Sequence, residues 1–108
     1  MKTMTRNQLN ERLGNSNNLT IVEVLSPEHY REFHLPGAIN VPLDEHFDQR
    51  IQEVVPTKSS PVVVYCGSTQ CQASAEAARH LDKLGYVEVY DYEAGKADWK
   101  EAGLPVEA

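Results

Sequence analysis

The chain is poor in most of the features that mark a specialised protein. Of its 108 residues only two are cysteine and one is tryptophan, and no apolar run approaches the roughly 18 residues of a membrane-spanning helix. Two cysteines cannot build a disulfide framework, and a domain of this size does not need one, so Cys66 and Cys71 are read first as free thiols. Positive charge is also scarce: 10 Lys and Arg stand against 16 Asp and Glu, a formal net charge of −6 with no basic cluster. No nucleic acid and no anionic membrane is therefore expected as a partner. The opening segment MKTMTRNQLNERL has no apolar core of signal-peptide length, and a cytoplasmic protein is expected. No repeat, low-complexity tract or linker interrupts the chain, whose length suits one core; a single domain over residues 1–108 is the expectation.

What is present is an alternation of strand and helix signals. Thr5 to Leu13 places Leu9 and Leu13 at helical spacing behind Thr5 as a cap, and GNSNN (residues 14–18) breaks it. Leu19 to Leu25 is a β-rich run, followed by Ser26 as a cap and Pro27 in the first turn of a second helix. His34-Leu35-Pro36-Gly37 reads as a loop and Ala38 to Val41 as a short strand. From Pro42 a third helix is predicted, with Leu43, Phe47, Ile51 and Val54 or Val55 on one face. Val62 to Tyr65 is an unbroken apolar strand, Ala73 to Leu84 a helix ended by Gly85, Val87 to Tyr90 the last strand and Gly95 to Ala102 the last helix. Strands without polar alternation, each followed by a helix, predict an α/β fold: a mainly parallel sheet of about five strands with helices on both faces.

In such sheets ligands bind beyond the carboxyl ends of the strands. Cys66 stands there, at the end of the most apolar strand. The segment Gly67, Ser68, Thr69, Gln70, Cys71, Gln72 leads into a helix, so its backbone N–H groups and the helix N-terminus can surround an anion. A thiolate in that position is stabilised and nucleophilic near neutral pH, which makes Cys66 the candidate nucleophile. The competing reading is a small buried hydrophobe at a strand end. For Cys71 two readings stand side by side: a partly buried residue at the helix start, or a resolving thiol that attacks an oxidised or sulfur-loaded Cys66.

Three stretches, in order, resemble the single-domain rhodanese family of sulfurtransferases: SPEHYREFHLPGAINVPL (Ser26 to Leu43), VVVYC with its small-residue loop and SAEAARHLDKLGY, and VYDYEAGKADWKEAGLPV (Val89 to Val106). The resemblance implies a rhodanese-like fold and a persulfide cycle. Cys66 takes sulfane sulfur from a donor (polysulfide, protein persulfide or thiosulfate) and passes it to a thiol or other nucleophile. Loop amides stabilise thiolate and persulfide, so no metal and no organic cofactor is required. The implied partners are a small sulfur donor or persulfide-bearing protein and a thiol acceptor.

Departures from the family pattern shape these expectations. The early strand ends Glu23-Val24-Leu25 where the family often has Asp-x-Arg, so that ion pair is not expected in the same form. Glu23 and Leu25 are expected in the pocket wall, with Glu23 repelling anionic donors. The loop carries no Lys or Arg, which disfavours thiosulfate. Ser74 lies farther from Cys66 than in the common family loop, implying a larger pocket, and Ala94 replaces the first glycine of a turn that keeps Gly95.

A phosphatase or arsenate reductase would need a bidentate Arg in the loop, and Arg79 lies too far along the helix. A different class is a non-catalytic or redox-sensing module with a reversible Cys66–Cys71 disulfide, which requires Cα atoms within about 7 Å. His29, His34, His46 and His80 lack paired metal-ligand spacing, and no metal site is expected. His34 is read as a loop residue bonded to backbone, Tyr65 as packing away from Cys66, and Trp99 and Tyr92 as core or mouth residues.

Overall fold

A computed structural model describes residues 1–14 and 19–108. Ten elements alternate along the chain: β1 (Lys2–Thr3), α1 (Arg6–Leu13), β2 (Thr20–Glu23), α2 (Pro27–Glu32), β3 (Ile39–Asn40), α3 (Phe47–Val54), β4 (Val62–Tyr65), α4 (Ala73–Lys83), β5 (Val89–Tyr92) and α5 (Gly95–Glu101). The strands form one sheet in the order β1-β5-β4-β2-β3, and every pairing is parallel. The central strand β4 is buried along its whole length, which explains its unbroken Val-Val-Val-Tyr sequence.

Side-chain alternation divides the interior into two layers. Val22, Val62, Val64 and Cys66 pack with Phe47 and Ile51 of α3 and Ala77, Ala78 and Leu81 of α4. Ile21, Val63, Tyr65 and Tyr92 pack with Leu9 of α1 and Trp99 of α5. Each fully buried Leu, Ile or Phe contributes about 1.5–3 kcal/mol relative to exposure. No helix among the described residues is long and apolar enough to cross a membrane.

The expected helix caps form where Thr5 and Ser26 stand. Thr5 Oγ1 accepts from the Gln8 amide while Gln8 Oε1 accepts from the Thr5 amide, and Ser26 Oγ accepts from the His29 amide ahead of Pro27. Four expectations are corrected. β1 had no signal, because its two residues are exposed and it is held by pairing with β5. α3 starts at Phe47 rather than Pro42, since Asp44 Oδ1 and its carbonyl take the amides of His46 and Phe47 in a turn. The last strand runs over Val89–Tyr92, two residues later than predicted, and Val87 is 75% exposed. β3 spans only Ile39–Asn40. Of the predicted helix breaker, Gly14 caps α1, while positions 15–18 lie outside the described residues.

Candidate active site

Cys66 follows the last residue of β4 and is 1% exposed, so its sulfur is enclosed beneath the loop that it begins. The loop turns back on itself through the Cys71 amide, which donates to the Ser68 carbonyl at 3.1 Å. That turn brings the Cα atoms of residues 66 and 71 to 6.4 Å, and their Sγ atoms are joined. The two cysteines are thus a disulfide in this structure. This corrects the reading of both as free thiols, because the loop closes to a separation that a disulfide spans. Cys71 is the more exposed of the pair.

Cys66 Sγ lies 3.5 Å from the Cys71 carbonyl oxygen and 3.6 Å from Ser74 Oγ in the first turn of α4. Unlike α1 and α2, α4 has no side-chain cap: Gln72 occupies the cap position without making that bond. Its first amides are therefore without a side-chain cap, and the positive end of the helix dipole lies at the turn that carries Ser74. Of the rest of the predicted cradle, the Gln70 amide is taken by Ser68 Oγ, while Thr69, Cys71 and Gln72 line a cleft of about 230 Å³. A Cβ on Gly67 would lie 4.0 Å from Leu25 Cδ1, so Leu25 does border the loop.

The closing turn holds this loop from the far side. Gly95 has φ +77°, and a Cβ there would meet Gly67 C and the Ser68 amide nitrogen at 2.6 Å. Only glycine allows the approach. The next amides, of Lys96 and Ala97, donate to the carbonyls of Cys66 and Gly67 at 2.9 Å each. The start of α5 thereby fixes the backbone of the cysteine itself.

Glu23 is not a pocket wall. It is fully buried, with Tyr65 Oη donating to its Oε1 at 2.8 Å and Lys96 Nζ lying 3.0 Å from its Oε2. Lys96 Nζ also donates to the carbonyls of His29 and Phe33 at 2.7 Å. The missing early-strand ion pair is replaced by a partner from α5, and Glu23 cannot repel a donor as a free charge. Burial, with Glu23 adjacent, pushes the Tyr65 hydroxyl well above the ordinary tyrosine value.

Asp91, which the misplaced strand boundary left outside β5, is 1% exposed and pairs in register with Val64. It lines the same cleft as Ser74, and its Oδ1 has no hydrogen-bond partner among the described residues. Burial raises its pKa above the ordinary carboxyl value, the nearby Ser74 hydroxyl lowers it, and the charge of Glu93 raises it further. A charged residue within an aromatic and β-branched run was the available sequence signal. Arg6 was also missed: it lines a second cleft with Thr69 and Glu93, but its guanidinium is held 2.9 Å from Asp98 Oδ1.

The remaining residues fall outside the site. His34 Nδ1 bonds the Tyr30 carbonyl at 2.9 Å, His29 bonds Ser26 and His80 bonds Asp48. Trp99 and Tyr92 are core residues, their polar tips on the Pro105 carbonyl and Asp98. Arg79 is exposed on α4.

A parallel α/β sheet whose central strand delivers a cysteine into a loop at a helix N-terminus defines a class of cysteine-centred α/β domains. The sequence pattern of the rhodanese-like domain matches residues 5–102, and the chain belongs to that family. It is 40% identical to the thiosulfate sulfurtransferase PspE of Escherichia coli over 68 residues, 63% of this chain and 62% of that protein. It is 37% identical to the HTH-type transcriptional regulator Rv0324 of Mycobacterium tuberculosis over 82% of this chain, which spans only 38% of that regulator. YibN of E. coli is 32% identical over 98% of this chain and 72% of its own length. Among solved structures, the Alr3790 protein of Anabaena superposes with TM-score 0.87 at 26% identity, covering 97% of this chain and 81% of that one. A rhodanese with anions from E. coli superposes with TM-score 0.66 at 34% identity, over 82% and 96% of the respective chains.

Proposed function

We propose that the chain, folding as one domain, is a sulfurtransferase in which Cys66 carries sulfane sulfur as a persulfide. The observation that supports this most is the placement of Cys66 Sγ against the uncapped start of α4, where amides and the helix dipole favour a thiolate. The thiolate attacks the outer sulfur of a donor R–S–SH, the donor S–S bond breaks, and the thiol R–SH leaves behind Cys66–S–S⁻. An acceptor thiolate attacks the outer persulfide sulfur, becomes a persulfide itself and restores the Cys66 thiolate. The amides hold negative charge at each stage, without a metal or organic cofactor.

Cys71 acts as resolving thiol. It attacks the inner sulfur of the persulfide, expels HS⁻ and closes the disulfide; two molecules of an external thiol reopen it. The absence of Lys and Arg from the loop, and the commitment of Arg6 to Asp98, favour polysulfide or a protein persulfide over thiosulfate as donor. A second reading, a redox-sensing module, is favoured by the disulfide alone.

The test is intact mass after brief exposure of reduced protein to polysulfide and, separately, thiosulfate. A gain of one sulfur atom that persists in Cys71→Ser and disappears in Cys66→Ser is expected, with polysulfide the better donor. Loss of two hydrogens in the wild type together with no sulfur gain in Cys71→Ser, where no resolving thiol can discharge a persulfide, would overturn the carrier reading in favour of the sensor.

A further inference from the structure

The disulfide presents its two sulfurs unequally. Cys66 is closed to solvent, whereas the half-buried Cys71 lines the cleft of about 230 Å³ between the loop, the start of α4 and the end of β5. A nucleophile arriving from solvent therefore meets Cys71.

The wall of that cleft is acidic. Asp91 and Glu93 belong to it, and among the described residues no Lys, Arg or His does. Val89 and Asp91 alternate onto one face of β5, the face on which Val89 packs with α4, so the Asp91 side chain is directed to the side where Ser74 and Ala75 complete the wall. Asp91 is 1% exposed, and its Oδ1 has no hydrogen-bond partner among the described residues. A buried carboxylate oxygen without a donor is unfavourable, and an N–H donor arriving through the cleft would satisfy it. Arg6 does not fill this need. It lines the neighbouring cleft that shares Thr69 and Glu93, where its guanidinium is held 2.9 Å from Asp98 Oδ1.

We propose that this cleft binds the external thiol that opens the disulfide, that it takes an aminothiol whose ammonium group pairs with Asp91 and Glu93, and that the thiol bonds to Cys71. The aminothiol thiolate attacks Cys71 Sγ, the bond between the two cysteines breaks, and its electron pair leaves on Cys66 as the thiolate. Cys71 is then in a mixed disulfide with the aminothiol. A second aminothiol thiolate attacks the sulfur of the first, which forms the external disulfide and releases the Cys71 thiolate. Two external thiolates are oxidised to one disulfide as the protein disulfide is reduced to two thiolates. Cys66 suits the role of leaving group, because its sulfur lies 3.6 Å from Ser74 Oγ at the uncapped start of α4, where negative charge is favoured.

This inference rests on the Cys66–Cys71 resolving pair of the proposed cycle and is tested with no sulfur donor. Sulfur gain in Cys71→Ser, which tests the carrier reading, needs neither the disulfide nor the cleft, so the two failures are distinguishable. The oxidised full chain is opened with cationic cysteamine, neutral mercaptoethanol and anionic mercaptopropionate. Each rate is divided by that of the same thiol on hydroxyethyl disulfide, an uncharged reference that removes differences in intrinsic reactivity. On this scale cysteamine is expected to exceed mercaptopropionate about tenfold, with mercaptoethanol between them. Glu93→Gln is expected to reduce the preference about threefold and its combination with Asp91→Asn to abolish it, while Glu53→Gln, exposed on α3, leaves it unchanged. Acid quenching early in the reaction, followed by peptide mapping, is expected to find cysteamine on Cys71. A preference near one, a preference that the double variant retains, or an adduct on Cys66 would overturn the proposal. Should Asp91→Asn fail to fold, the exposed Glu93→Gln decides, and a preference that it leaves whole overturns the site.

Discussion

Two carboxylates lie inside this small protein, Glu23 at the end of β2 and Asp91 within β5, both essentially closed to solvent. Glu23 has a phenol on one oxygen and an ammonium on the other, and that ammonium is further held by two backbone carbonyls. Asp91 has no hydrogen-bond partner on its Oδ1 among the described residues. A fully compensated charge ties elements together: Glu23 and Lys96 link β2, α2 and α5. A poorly compensated charge takes up a proton more easily. Burial alone therefore does not decide how a carboxylate behaves; the number of donors does.

The largest expected effect comes from breaking the compensated pair. Lys96→Met leaves Glu23 buried without its counter-charge and costs about 3–5 kcal/mol in urea unfolding. Adding Glu23→Gln restores much of the loss, since a neutral amide needs no cation; a single mutant as stable as wild type would erase the contrast with Asp91. An intermediate effect falls on the turn that holds the cysteine loop. Gly95→Ala forces a left-handed alanine whose Cβ overlaps the backbone of Gly67 and Ser68, a loss of about 1–3 kcal/mol from the strained conformation, read as a lower Tm.

The smallest effect concerns Asp91. Its folded pKa is raised above the unfolded value, so the native state binds the proton more tightly. The associated stability is complete below the ordinary carboxyl pKa and is lost as pH rises through the folded one. Wild-type stability is expected to fall across that window by at most about 1.4 kcal/mol per pH unit, and Asp91→Asn to remove the slope. Equal slopes in the two proteins would show Asp91 to be as well compensated as Glu23.

Much of the architecture was legible because local rules governed it. The Val62–Tyr65 run is apolar on both faces because both faces are covered, and Thr5, Ser26 and Pro27 mark helix starts through bonds made within one turn. Cys66 and the small-residue loop were equally legible, being contiguous. The late start of α3 is local, set by the Asp44 turn, whereas the strand errors arose because distant partners decided. β1 exists only by pairing with β5, and the last strand was placed early because Val87 and Val89 look alike in sequence although one is exposed and the other buried. That shift hid Asp91.

Composition and order along the chain thus determined the parallel α/β class, the family and the position of Cys66 at a strand end, since each depends on neighbours a few residues apart. Tertiary structure alone decided that Glu23 faces Lys96 rather than a donor, that Gly95 touches the cysteine loop, that Cys66 and Cys71 meet, and that Asp91 is buried. Those are contacts between segments remote in sequence or set by a loop's closure. Their geometry follows from the packing of α4 and α5 against the sheet, which no local pattern encodes.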